Sequence, residues 1–466
     1  MLKRSYDNEY SAVPIYPVMP LDGRKNMIRT TRRKFLVASA VMTATALSLS
    51  VMPAQAFSPR SETGVTSTAI KLGITLPMTG SASAGYKELP AAMKAYFDYV
   101  NANGGVNGRK ISLVIRDDKY LPTLAATQTT NLILKDKVFA LVGALGTATH
   151  SKAYTAAALG KNNVPDLFIN TGFSGFTNKA KYPTTFMVLP TYAMEAKVMA
   201  KVIKDNFPGQ ATFMIAQDDE FGSDGVAGFT TAGHKFSATP TLYPQGTMTA
   251  ARAEGALTAL AAAAPGKPVL VLFGTTDVTA TILKAAEKLE LTKKFTFLAG
   301  SVGADANTLL ALGVKPTTID GVVSASFLPD AKDLTDPYVK QFIDINTKYN
   351  KGITFDNYVL AGMNSAMLTV QALRAAGKNL TRAGLMSAIE AKGSKFASAG
   401  LVPLGWSATS RVGYNGYWVS QLNAKGEGKP YGGKLVIYTT DSGAGAVEIS
   451  NFTRPTMPRN GIPTNS

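Results

Sequence analysis

Short apolar runs alternate along the chain with segments whose apolar residues recur at helical spacing. Ile70-Lys71-Leu72-Gly73-Ile74-Thr75 alternates apolar and polar side chains and predicts a strand. Tyr86, Leu89, Met93, Tyr96, Phe97 and Val100 follow a 3.6-residue period, which predicts a helix that Gly104-Gly105 stops. Strands are then expected over 111–115, 139–143 and 166–169, with helices over 121–135 and 150–162. Near Pro190-Thr191-Tyr192 the pattern restarts. Helices over 194–206, 221–236, 250–264 and 277–291 interleave with strands over 211–216, 269–273 and 295–299. Residues 322–325 could carry the chain back. Helices over 337–349, 355–376 and 381–391 follow, then late strands over 417–422 and 434–439. The polar, proline-rich end, 451–466, is expected to be a loose tail.

Strands and helices that alternate through short connections imply βαβ units and parallel sheets. The restart implies two similar α/β halves, each doubly wound. Such lobes hold a ligand in the crevice at the carboxyl ends of their strands. The loops expected there begin at Leu76, Asp117, Gly143, Asn170, Gln217, Gly274 and Gly300.

Composition narrows the chemistry. The 466 residues contain no Cys and only His150 and His234. That excludes disulfide scaffolds, thiol catalysis, cysteine-based metal or iron–sulfur ligation and lipid attachment to an N-terminal cysteine. The formal charge is +17. The lysines are scattered without a dense run, so they read as a solvated surface and nucleic acid is not an expected partner.

The N-terminal stretch predicts the compartment. Thr31-Arg32-Arg33-Lys34-Phe35-Leu36 precedes an apolar run to Met52, and Ala54-Gln55-Ala56 supplies a small-x-small processing site. Residues 1–56 resemble a twin-arginine export signal, and Met27 offers a second start. A membrane anchor would leave the processing site unexplained. The next best apolar segment, 256–273, is broken by Pro265-Gly266-Lys267-Pro268. An exported, freely diffusing protein needs an outer membrane to retain it, so a periplasm is expected.

Several stretches are similar to the substrate-binding proteins of ABC importers, the leucine/branched-chain amino acid-binding type. They are Leu76-Pro77-Met78-Thr79-Gly80, Asn103-Gly104-Gly105-Val106-Asn107-Gly108-Arg109-Lys110-Ile111, Asp117-Asp118, Val142-Gly143-Ala144-Leu145-Gly146-Thr147 and Asp218-Asp219-Glu220-Phe221-Gly222. The resemblance spans about Ile70 to Tyr438. It implies the type I periplasmic binding fold: two Rossmann-like lobes, a hinge of three crossing strands, and a small molecule trapped between the lobes. It also implies membrane permease subunits as partners. Lobe 1 would comprise 67–189 with 323–398, and lobe 2 190–322 with 399–440, leaving 441–466 as a tail. Crossings would fall near Pro190, Ser324 and Leu404.

The resemblance carries over residue by residue. Thr147, with Ala148 beside it, matches the hydroxyl position that binds a ligand carboxylate. The helix start there would favour an anion in any case, though Thr147 or Thr149 could equally cap the helix. Thr171, Gly172, Phe173 and Ser174 match a second contacting loop. Tyr86, Tyr192 and Phe221 match aromatic walls, with Phe replacing the usual Tyr at 221 and core packing as the alternative reading for Tyr86 and Phe221. Thr275 and Ser301 stand in the second-lobe loops. Where amino acid binders place a carboxylate for the ligand ammonium, this chain has Ser301 or Val302, a departure that favours an organic acid over an α-amino acid. Asp277 or Asp305 could still supply the charge.

Catalysis finds little support. Gly172-Phe173-Ser174-Gly175-Phe176 lacks the final Gly of a nucleophile elbow. Asp117-Asp118 and Asp218-Asp219 point opposite ways on extended chain and read as solvated strand ends or helix caps. The histidines lack ligand spacing and read as surface or cap residues. No glycine loop for a dinucleotide or phosphate is present, so neither a cofactor nor a metal is expected. The reading is a solute-binding protein for an amino acid or carboxylic acid. The alternatives are a ligand-sensing receptor of the same fold and, further off, a secreted hydrolase.

Overall fold

A computed structural model describes residues 62–464. The expected leader, 1–56, lies outside the described residues. Among the described residues no helix is long and apolar enough to cross a membrane.

The first half runs β1 (Ala69–Leu76), α1 (Leu89–Ala102), β2 (Lys110–Asp117), α2 (Pro122–Leu134), β3 (Ala140–Val142), α3 (Thr147–Ala156), β4 (Asp166–Ile169) and β5 (Thr185–Met187). These strands form one parallel sheet in the order β2-β1-β3-β4-β5. Alternation decides which side each residue covers. Ile70, Leu72 and Ile74 of β1 pack in the core that holds Met93 and Phe97 of α1. Gly73 lies against Leu132 of α2 on the opposite face.

The second half runs α4 (Tyr192–Asn206), β6 (Thr212–Gln217), α5 (Glu220–Thr231), β7 (Thr241–Tyr243), α6 (Ala250–Ala263), β8 (Val269–Phe273), α7 (Thr276–Lys288), β9 (Thr296–Ala299), α8 (Ala306–Ala311), α9 (Pro316–Ile319) and β10 (Val323–Ser326). The chain then forms α10 (Pro337–Tyr349), α11 (Asn357–Ala375) and α12 (Arg382–Lys392). It closes with β11 (Gly416–Leu422), β12 (Gly428–Pro430), β13 (Ile437–Thr439) and β14 (Glu448–Ser450). The second sheet has the order β14-β13-β11-β10-β9-β8-β6-β7, with β12 on β11. Its strands from β7 to β10 are parallel, and β11, β13 and β14 join antiparallel. Phe213, Ile215, Leu270 and Leu272 face α6 and α7, while Met214, Val271 and Phe273 face α4 and α5.

α10 and α11 return to pack on α1, so the first lobe is completed by residues more than 200 positions downstream. β10, at the start of the segment expected in lobe 1, pairs with β9 and β11 in the second sheet. The stretch 399–415 stays with the first lobe: the Trp406 indole donates to the Met187 carbonyl at 2.8 Å and its ring packs on Phe168. The return to the second sheet therefore comes at Gly416.

Two further expectations are corrected. The C-terminal segment is not loose. After β14 it lies across lobe 1, where the Tyr338 hydroxyl donates to Pro455 O at 2.8 Å and the Tyr96 hydroxyl to Gly461 O at 2.6 Å. Arg454 pairs with the buried Asp336 and donates to Ala399 O. These partners lie far upstream in the chain, which is why a polar, proline-rich composition reads as loose. His150 is likewise no surface residue. It is buried, with Nε2 2.8 Å from Asp166 Oδ2.

Candidate functional site

The loops at the carboxyl ends of both sheets meet between the lobes. A bulge shapes the first-lobe side. Phe168 has φ 55° where the β4–β5 register shifts, and after Ile169 residues Asn170 to Ser174 leave the sheet as the loop facing lobe 2. α3 opens at Thr147, three residues before the expected start, behind Gly146 at φ 94°. No side chain caps it.

Thr147 and Thr171 are both buried and share a hydrogen bond of 2.7 Å. Tyr192, at the first turn of α4, lies over them. Its backbone N–H donates to Gly172 O at 2.7 Å. A Cβ on Gly172 would come within 2.7 Å of the Tyr192 ring, so only glycine admits this approach. Burial raises the Tyr192 phenol well above its ordinary range, while Thr171, the Gly172 backbone and Thr147 hydrogen-bond it in the opposite sense. Phe221 stacks on Tyr192 at 4.5 Å between ring centroids and on Phe273 at 5.0 Å. Thr147, Thr171, Gly172, Tyr192 and Phe221 therefore do come together, but as a packed cluster. The two threonine hydroxyls face each other and Tyr192 rather than open space.

The other expected residues go elsewhere. Ala148 is half-buried in the first turn of α3. Phe173 packs edge-on against Phe176 at 5.4 Å. Ser174 donates from both N–H and Oγ to Asp224 of α5, at 2.8 and 3.0 Å, joining the lobes. Thr275 is buried, and its Oγ1 has no partner among the described residues. Asp117 acts as a turn cap, accepting from Met78, Thr79 and Lys119. Its neighbour Asp118 is buried, and burial pushes its carboxyl to about 7.

Open space lies beside this cluster, in a cavity of about 120 Å³ between the lobes. Lobe 1 contributes Tyr86, Asn170 and Tyr358 at the start of α11; the second sheet contributes Ser301, Asp305, Ser324 and Trp418. Tyr86 and Tyr358 meet edge-to-face at 4.6 Å, and the Tyr358 hydroxyl lies 2.6 Å from Thr276 Oγ1 of α7. Of the expected site residues, Tyr86 and Ser301 line this space. Ser301 is itself held from behind: its N–H and Oγ both donate to Glu195 of α4, the latter at 3.1 Å. Glu195 is completely buried, and burial pushes its carboxyl to about 7 against the bonds from Ser301.

Sequence reasoning missed Tyr358, Trp418, Phe327 and Glu195. Glu195 carries a legible signal, an acid in the first turn of a helix rich in apolar residues. The others belong to segments that join the site only through tertiary packing.

The arrangement offers aromatic faces, hydroxyls and carboxylates around the space between the lobes. Among the described residues no group of three or more His, Cys, Asp or Glu side chains could hold a metal ion.

The family model for the periplasmic binding protein matches residues 69–427. No curated protein matches the chain. Among solved structures, a substrate-binding periplasmic protein from Ralstonia solanacearum is 22% identical, with 77% of this chain and 99% of that one covered and a TM-score of 0.69. A branched chain amino acid ABC transporter from Thermus thermophilus, with bound valine, is 17% identical, with 81% and 98% covered and a TM-score of 0.70. A solute binding protein of an ABC transporter from Rhodopseudomonas palustris, in complex with 3,4-dihydroxy benzoic acid, is 20% identical, with 80% and 98% covered and a TM-score of 0.66. These similarities support the two-lobed type I periplasmic binding fold.

Proposed function

The chain belongs to the periplasmic binding protein family, and from that premise we propose that it captures a small organic solute between its lobes and delivers it, unaltered, to the permease subunits of an ABC importer. The observation that carries this reading is the cavity between the lobes, walled by Tyr86 and Tyr358 on one side and Ser301 and Trp418 on the other. A solute touching both walls binds the closed arrangement better than an open one and so selects it. Export through residues 1–56 to a periplasm fits the same role.

Thr147 and Thr171 serve in this reading as the rigid floor beside the cavity, with Tyr192 and Phe221 over them. Phe173 and Ser174 form the seam to α5, and Thr275 lies in the loop that approaches from lobe 2.

The test is a thermal-shift panel on the purified protein, with amino acids, aromatic and aliphatic acids, amides and amines. A solute at 100 times its Kd adds about 2.7 kcal/mol to stability. At least one class is expected to raise the melting temperature. A flat response across the panel would overturn the proposal, and turnover of any member would replace it with an enzyme.

A further inference from the structure

The capture reading leaves open which chemistry the cavity selects, and the walls bear on that. Asp305 and Asp330 both line the cavity. Asp305 Oδ1 caps α8 through Thr308 N–H, and Oδ2 accepts from Asn357. Asp330 accepts from Lys332 N–H and Gly428 N–H. Each carboxylate thus keeps unused lone pairs. Asp356, the cap of α11, stands close enough to feel Asp305 and Glu88, and burial with those charges pushes its carboxyl to about 7. Burial raises the Asp330 carboxyl against its two backbone bonds and the Lys332 ammonium, which itself bonds to Lys425 O at 2.8 Å. The acids that line the cavity, Asp305 and Asp330, make its polar wall acidic.

The rest of the lining agrees. Among the described residues no Lys, Arg or His side chain lines the cavity. Tyr86, Phe327, Tyr358 and Trp418 supply aromatic walls, and a ring face attracts a cation. The helix start that could hold an anion, at Thr147, does not line this space. A carboxylate here would be buried without a donor charge and beside like charges, which is costly.

We propose that the solute class is an organic ammonium with a small apolar body, its charged end held by Asp305 and Asp330 and its body against Tyr86, Tyr358, Phe327 and Trp418. The inference rests on the capture reading and departs from the organic acid expected from sequence. A ligand carboxylate is not required.

Calorimetric titration of the full chain with 3-methylbutylammonium, 4-methylpentanoate and leucine tests it. The amine is expected to bind at least tenfold more tightly than the matched acid and no more weakly than leucine. Asp305→Asn keeps an oxygen to cap α8 and should lower amine affinity at least tenfold; Asp330→Asn gives an independent loss should the first variant fold poorly. Tighter binding of the acid, or leucine binding tenfold tighter than the amine, would overturn the ammonium assignment while leaving capture intact. Binding by none of the three, with another member of the wider panel bound, would do the same. No binding by any class would overturn both.

Discussion

Thr147 Oγ1, at the start of α3, and Thr171 Oγ1, in the loop after β4, lie 2.7 Å apart beyond two neighbouring strands, with the Tyr192 ring closing over them. The pair therefore acts as a buried structural contact. Thr147→Ala should lower stability by about 1 kcal/mol, because it leaves the Thr171 hydroxyl short of a partner. Chemical denaturation checks this. Unchanged stability with a tenfold loss of solute affinity would instead make Thr147 a direct ligand contact.

Stability should fall as pH rises through the neutral range. Burial raises the carboxyls of Glu195, Asp118 and Asp356 to about 7, and at Asp356 the repulsion of Asp305 and Glu88 adds to it. A carboxyl raised in the fold holds its proton where the unfolded chain has lost it. Its contribution is therefore fully present below the unfolded value near 4 and is lost as pH rises to about 7. For Glu195, a rise from 4.5 to about 7 corresponds to about 3 kcal/mol. Melting temperatures at pH 5 and pH 8 measure the trend, and Glu195→Gln should flatten it. A variant with the parent's full pH dependence would contradict the assignment to Glu195.

The C-terminal strap should contribute measurably to the first lobe. Arg454 pairs with Asp336, which is buried and caps α10 through Tyr338 and Val339 N–H. Arg454→Ala strands that carboxylate and should cost about 3 kcal/mol. Urea unfolding checks it; a loss within about 0.5 kcal/mol would return the strap to a surface role.

Much of this fold was legible because its strands are buried runs between turn signals. Residues 70–75, 211–216, 269–273 and 295–299 all lie within or beside observed strands. Edges were less legible. β5 and β7 have three residues each, too few for a period to register. α5 ends at Thr231 rather than near Phe236, where Gly233 at φ 73° turns the chain out of the helix. The site was legible as a set of loops. Asn170 and Ser301 begin or sit in two of them, and both reach the cavity. Tyr358 and Trp418 could not be found that way, since their place depends on α11 and β11 crossing back between lobes. Tyr192 and Phe221 were found as aromatics near the site, but local sequence does not separate a ring facing solute from one stacked on its neighbour.

Capture of an unaltered solute between the lobes can be read by native mass spectrometry of the protein with its bound solute, compared with an Ala361→Phe variant. Ala361 lines the cavity from α11 and is only half-buried, so a larger side chain would occupy the solute's space. One solute per chain is expected, recovered chemically unchanged on denaturation and lost in the variant. A solute retained at full occupancy by Ala361→Phe, or released as a different compound, would contradict it.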